Sequence, residues 1–322
     1  MLLAPLFILI ASASVVAPPA SQAAPVPAAD PRVKASSLAG SALPGREEDA
    51  RVATIAWRLA RAGVAHCPAP APLTGLVLQH LSQFEVADRP GMIAALGLDR
   101  GPAMIAVVPG SPADRAGLRP GDVLLAVDDV PLPRDAAAAA PFDAARARLR
   151  ADTILDRIAQ DGTHRLTLLR EGREQIVTLT PLPGCPSRVH LARSNQRNAY
   201  ADGTHVFLTT GLFARLRNDD ERAFVIAHEM AHNILGHATL MRSGVVKRGL
   251  GRTLGHSGAV LRGTERDADT LAARLMLAAG YDPVAGAQML RRLDTDLGIA
   301  LFAAHDGAGT RIAAIRALVD AR

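Results

Sequence analysis

Asp219-Asp220-Glu221-Arg222-Ala223-Phe224-Val225-Ile226-Ala227-His228-Glu229-Met230-Ala231-His232 is the stretch around which the chain is organised. Its leading acids sit where a helix N-terminus favours negative charge. Phe224, Ile226, Ala227, Met230, Ile234 and Leu235 recur at helical spacing, so the stretch predicts a largely buried helix. Residues four apart share a face of such a helix, and His228 and His232 can therefore aim imidazole nitrogens at one ion. Neutral imidazoles bind zinc at about 2.0–2.1 Å, and a catalytic site leaves one coordination position for water. Glu229 falls beside that position, where it can take the water's proton. Two buried histidines without partners would be costly, and an ion satisfies both.

Such a pair needs a third ligand. Downstream, Thr264-Glu265-Arg266-Asp267-Ala268-Asp269-Thr270-Leu271-Ala272-Ala273-Arg274-Leu275-Met276 carries an apolar helical stripe, and Gly280 suits its C-terminal end. Glu265 and Asp269 are four apart and share a face. Glu265 can complete a His-His-Glu site, and Asp269 can hydrogen-bond a ligand imidazole from behind, fixing its tautomer. The other reading of these two acids is a solvated edge of a surface helix. The Gly-rich stretch 243–263 between the two helices suits a mobile flap or a plain flexible connection. His237 and His256 lack ligand spacing to the main pair and are read as bystanders.

The E-x-x-A-D spacing of Glu265 to Asp269, following an H-E-x-x-H helix, resembles the HtpX-type and CAAX-prenyl-protease-type zinc metallopeptidases, which are gluzincins. Asn198-Ala199-Tyr200-Ala201, with Thr204-His205-Val206-Phe207-Leu208-Thr209, looks like the family's segment ahead of the zinc helix, where an edge strand lies along the cleft. Ala231 to His237 continues that helix in the family's manner. His305 and Arg311-Ile312 keep the spacing of a family H-P-x-x-x-x-R-I element, with Asp306 in place of the proline. The resemblance covers about residues 190–322. It implies one zinc ion per chain on His228, His232 and Glu265, Glu229 as general base and then acid, and Asp269 behind a ligand. It implies Asn198 and His205 on the substrate's edge strand. His305 or Arg311 would steady the oxyanion or the substrate, as could His205.

A second module precedes this one. In Val107-Val108-Pro109-Gly110-Ser111-Pro112-Ala113-Asp114-Arg115-Ala116-Gly117-Leu118-Arg119-Pro120-Gly121-Asp122-Val123-Leu124-Leu125-Ala126-Val127-Asp128, a strand ends at Gly110 and a short helix starts at Ser111. Gly117 closes that helix in a left-handed cap, Pro120-Gly121 turns the chain, and Val123 to Val127 form the next strand. This resembles a PDZ domain of the kind attached to secreted bacterial proteases. A helix over 142–159 and a hairpin pairing 164–170 with 175–180 through Glu171-Gly172 would complete it. Such domains take an extended peptide or a C-terminus as an added strand, with Ala95-Leu96-Gly97-Leu98 as the candidate carboxylate-binding loop. A PDZ fold used only as a spacer is the alternative.

Cys67 and Cys185, the only two cysteines, bracket that module and lack zinc-site spacing. In an oxidising compartment they can form a disulfide; two free buried thiols are the other reading. Leu2 to Val16 is apolar and ends in small residues around Ser21-Gln22-Ala23, which fits a signal peptide over 1–23. No Lys or Arg precedes Arg32, so an uncleaved N-terminal anchor fits too. Either way the chain is read as periplasmic or secreted. No other run is long and apolar enough to span a bilayer.

The chain has 322 residues, 49% of them hydrophobic, enough for two cores. A net charge of +5 raises the question of nucleic acid. The basic residues are almost all arginine, dispersed among acids and alanine, and aromatics at 3% leave few stacking platforms. Nucleic acid is therefore excluded as a partner, while peripheral contact with an anionic envelope surface remains compatible with the charge. The expected architecture is α+β with two domains. The divisions are a signal peptide (1–23), a linker (24–46), a helical lead-in (47–85), a PDZ-like β-sandwich or barrel with helices (86–183), and a mainly α zincin-type domain with a small edge-strand sheet (190–322). The expected activity is hydrolysis of peptide bonds in misfolded or unassembled envelope proteins. The rival is a PDZ-bearing binding or chaperone-like protein whose metal site is latent or structural.

Overall fold

The computed structural model describes residues 46–134, 141–246, 255–297 and 306–321. The segment read as a signal peptide, and the expected linker up to residue 45, lie outside these residues. The chain is mixed α and β. It opens with α1 (Arg46–Ala62), followed by β1 (Ala71–Leu73), β2 (Leu76–Gln79), α2 (Arg89–Leu96), β3 (Ala103–Val107), α3 (Pro112–Arg115), β4 (Val123–Val127) and β5 (Val130–Pro131). Next come α4 (Ala144–Ile158), β6 (His164–Arg170), β7 (Arg173–Leu179), β8 (Leu182–Gly184), β9 (Arg188–Ala192), β10 (Ala199–Ala201) and β11 (His205–Thr209). The rest is helical: α5 (Thr210–Phe213), α6 (Asp219–Ile234), α7 (His237–Arg242), α8 (Gly255–Ala278), α9 (Pro283–Ala287), α10 (Met289–Leu297) and α11 (Ala308–Asp320).

One sheet runs β2-β3-β4-β6-β7, with β5 also on β4. Its local chemistry is that of the repeated turn residues. Ser111 caps α3 by accepting from Asp114 N–H, and Gly110 and Gly117 hold positive φ. Glu171 and Gly172, both at positive φ, close the β6–β7 hairpin. Helix α4 covers one face with Ile154 and Ile158 against Met104, Leu124, Leu166 and Leu168. Helix α2 covers the other, with Met92 and Leu96 against Ile105 and Val123.

One boundary differs from the expected divisions. Strand β2 pairs with β3, so this sheet begins at Leu76, inside the segment read as a helical lead-in ahead of residue 86. A four-residue strand carries no resolvable periodicity, which is why pattern alone misses it. Helix α1, within the segment read as a helical lead-in to the core, packs into that core. Val52, Ile55 and Leu59 pack into one cluster with Phe224, Ile226 and Met230 of α6, and with Leu275 and Met276 of α8. The β2–β7 sheet is thus inserted between α1 and the rest of the helical core. The β1–β8 ribbon and the Cys67–Cys185 disulfide close the neck of that insertion across 118 residues.

The helical part holds a three-stranded sheet of order β10-β11-β9. The long helix α6 starts at Asn218, whose Oδ1 accepts from Glu221 N–H at 2.9 Å, and Asp219, Asp220 and Glu221 fill its first turn. Gly286 lets α9 close against it, since a Cβ there would stand 2.5 Å from the Asp220 carbonyl oxygen. Residues 255–263 are helical, as the first turns of α8, and residues 247–254 lie outside the described residues. The part of the Gly-rich stretch from residue 255 to 263 is therefore helix and not flap. Helical glycine costs about 1 kcal/mol each, which burial of Ser257, Gly258 and Leu261 offsets. Among the described residues no helix is long and apolar enough to cross a membrane.

Candidate metal centre

Helix α6 presents His228 and His232 on one face, and α8 packs across that face and carries Glu265 to it. His228 Nε2 stands 3.2 Å from His232 Nε2 and 3.2 Å from Glu265 Oε2, and His232 Nε2 stands 3.6 Å from Glu265 Oε1. Donors held tetrahedrally at 2.0–2.1 Å from an ion are about 3.3 Å apart. The three donors therefore have the spacing that such an ion imposes, and the donor set is one that suits it. Among the described residues this is the one cluster of three or more His, Cys, Asp or Glu donors close enough to share an ion. His232 and Glu265 keep side-chain exposures of 17% and 14%, so the cluster is reachable. Glu229, next to His228 on α6, is half-buried.

The two imidazoles are supported differently. His228 Nδ1 lies 3.0 Å from Asp269 Oδ1. Arg311 meets the same carboxylate with Nε at 2.7 Å from Oδ2 and Nη2 at 2.6 Å from Oδ1. Burial opposes charge on both partners. The Asp269 and Glu265 carboxylates nevertheless push the His228 imidazole up to about 10, and the Arg311 and His228 charges pull Asp269 down to about 2. An ion binding His228 Nε2 must displace that proton. His232 Nδ1 instead meets His237 Nδ1 at 2.8 Å. His237 is buried, and burial together with the neighbouring His232 lowers its imidazole to about 4.

Several residues stand elsewhere than the sequence suggests. Arg311 is 5% exposed and fastened to Asp269, which in turn meets His228. A buried carboxylate needs a counter-charge, and Arg311 supplies it. His205 sits in β11, the central strand of its sheet, not on an edge strand. Its Nδ1 faces His190 Nε2 at 2.9 Å and its Nε2 faces Asp152 of α4 at 3.2 Å. Asn198 precedes β10, which is an edge strand, and its backbone bonds Thr209. His305 lies outside the described residues. His256 is exposed on the first turn of α8. His237, read as a bystander, touches a member of the cluster. The signal missed was Gly236, whose φ of 68° ends α6 and turns the chain back.

The loop Ala95-Leu96-Gly97-Leu98 leads into β3, an inner strand of the sheet, and not into an edge strand. Leu96 and Leu98 are 5% and 1% exposed and pack under the sheet with Leu81 and Ile105. The residues leading into the edge strand β2 are Thr74 and Gly75 instead. A cavity of about 420 Å³ lies along β2, walled by Ile154 and Leu155 of α4, Ala53 and Trp57 of α1, and His190 of β9. The metal cluster is not part of it. Gly75 has φ +80°, and a Cβ there would stand 2.2 Å from Ser111 Cβ.

Comparison with known proteins bears on both modules. Residues 167–250 match the model of peptidase family M48, and residues 105–142 match that of a PDZ domain. Two stretches of the chain are thus similar to peptidase family M48 and to a PDZ domain, in line with the resemblances read from the sequence. The M48 match includes His228, Glu229, His232 and His237 and stops short of Glu265. No curated protein matches the chain. Among solved structures it is similar to the HtrA-type protease AlgW with decapeptide, at 21% identity and TM-score 0.25, over 35% of this chain and 30% of that one. It is similar to the HtrA3 PDZ domain bound to a phage-derived ligand, at 16% identity and TM-score 0.24, over 36% of this chain and 88% of that one. It is also similar to the serine endoprotease from Yersinia pestis, at 19% identity and TM-score 0.20, over 35% and 29%. Likenesses at these scores say nothing of the chain's activity.

Proposed function

We propose that this chain is an exported zinc-dependent metalloendopeptidase that hydrolyses misfolded or unassembled envelope proteins. The observation that carries the reading is the convergence of His228 Nε2, His232 Nε2 and the Glu265 carboxylate, with Glu229 beside His228 on the same helix. A structural ion would have no use for Glu229. Zinc, when bound by His228, His232 and Glu265, supplies Lewis acidity toward the scissile carbonyl and lowers the pKa of water. Glu229 takes the proton of the attacking water and returns it to the departing amine. Asp269 holds His228 in the tautomer with Nδ1 protonated, and Arg311 keeps Asp269 ionised. The disulfide at the neck of the insertion fits an oxidising compartment.

The PDZ domain offers the other half of the reading. Strand β2 ends its sheet, and the cavity beside it is walled by α4, which is the setting in which a peptide adds as a strand. An extended segment of the substrate, or its C-terminus, would lie there while another segment enters the peptidase part. The PDZ domain and the helical core around α1, α6 and α8 are then two working domains of one enzyme.

The test is cleavage of casein by the purified chain beside Glu229→Gln, with zinc content measured in both. Loss of the base should leave zinc bound and lower the rate by several powers of ten, on the order of 10³-fold or more. If both proteins hold zinc and neither cuts casein, the chain is a binding protein with a latent or structural site.

A further inference from the structure

His232 turns Nε2 toward the donor cluster, 3.2 Å from His228 Nε2, which leaves Nδ1 on the far side of the ring. There it meets His237 Nδ1 at 2.8 Å, the rings edge-on with centroids 5.0 Å apart and planes at 67°. At that distance one nitrogen donates and the other accepts. A neutral imidazole has one N–H. If Nε2 gives its lone pair to a metal, the proton of His232 is on Nδ1, so His232 donates and His237 Nδ1 accepts. The proton of His237 is then on its own Nε2.

The backbone conformation creates this contact. Five residues along a continuous helix would place His237 about 140° around the axis from His232. Gly236, in the left-handed conformation, stops α6 and starts α7 at His237, folding the ring back over His232. His237 is 7% exposed, so the accepting side of the contact is largely shielded from water.

We propose that His237 is a positioning residue of the metal centre, accepting the Nδ1 proton of His232 and thereby holding Nε2 toward the metal. The inference rests on the zinc reading above. It makes the two ligands unequal: His228 leans on a carboxylate balanced by Arg311, and His232 leans on a neutral imidazole. The centre thus gains the second orienting contact without a further negative charge.

Zinc affinity of the full chain, measured by competition with a chelating dye, decides the matter for wild type, His237→Asn and His237→Leu. Asn and Leu are close in size, and only Asn offers an acceptor near the position of Nδ1. The expected result is a loss of about 10–100-fold for His237→Leu, with His237→Asn staying near wild type at unchanged Tm. Equal, wild-type affinity in both variants would overturn the inference while leaving the zinc reading intact. If wild type itself binds no zinc, the zinc reading falls and takes this inference with it. A readout that needs no variant is the ¹⁵N spectrum of the zinc-loaded wild type. It should show His232 protonated at Nδ1 and His237 at Nε2, and the proton on His237 Nδ1 instead would refute the assignment should either variant fail to fold.

Discussion

Arg311 grips Asp269 with two hydrogen bonds, Nε to Oδ2 at 2.7 Å and Nη2 to Oδ1 at 2.6 Å, and the pair is almost fully buried. The same carboxylate meets His228, so α11, α8 and α6 are joined through one charge. Removing one partner of a buried pair leaves the other charge uncompensated, which costs about 3–5 kcal/mol. Arg311→Ala should therefore lower stability by that order in urea unfolding of the metal-free chain. Arg311→Lys should recover part of it, because a lysine keeps the charge and loses the fork. Arg311→Ala with unchanged stability and zinc affinity would show that the pair does not organise the centre.

Glu221, a buried carboxylate at the start of α6, is paired with the half-buried Arg292. Arg292 of α10 donates to both oxygens, at 3.0 and 2.7 Å, and Arg217 N–H donates at 2.7 Å. Burial would raise its pKa, and these donors outweigh burial and hold it below the ordinary 4.5. A carboxylate depressed by folding stabilises the native state above its unfolded pKa and loses that contribution as pH falls through the folded one. Glu221→Gln should cost about 1–3 kcal/mol at pH 7. Its Tm should fall less than that of wild type as pH drops below 4.5. Parallel Tm–pH curves for the two proteins would count against the pair.

The disulfide closes a loop of 118 residues. Such a bond contributes about 2–4 kcal/mol, chiefly by restricting the unfolded chain. Reduction, or Cys67→Ala with Cys185→Ala, should lower the unfolding midpoint accordingly. Thiol labelling of the unreduced, denatured chain should find no free cysteine; two labelled cysteines would refute the bond.

Leu98 and Gly75 separate the two candidate peptide loops. Leu98 is a core side chain at 1% exposure, so Leu98→Ala should cost about 2–5 kcal/mol and leave peptide affinity per folded molecule unchanged. Gly75→Ala meets both a positive φ and Ser111, and should disturb β2 and weaken binding of an extended peptide. Calorimetric titration with one peptide against both variants distinguishes them. Weakened binding in Leu98→Ala alone would return the ligand loop to residues 95–98.

The helix with His228 and His232, the second helix with Glu265 and Asp269, and the β3–α3–β4 turn chemistry were legible in the sequence because each is written at spacings of four residues or fewer. Helical period, N-terminal acids, a Ser cap and left-handed glycines are local properties, and local energetics set them. The turn at Gly236 was equally local. Its effect on His237 was not, because two ring nitrogens meet only once both helices are placed.

Local order along the chain thus dictated most of the elements, the donor residues and the two modules. Which charges meet was settled by packing. Arg311 answers Asp269 from 42 residues away, because a buried carboxylate needs a counter-charge. His205 lies in a central strand facing Asp152 of α4, because β9 and β10 flank it on both sides. Strand β2 joined the PDZ sheet, and α1 joined the helical core, because their apolar faces found partners there that no period in the chain announces. Side-chain partnership across long separations depends on packing, and packing is a property of the assembled fold.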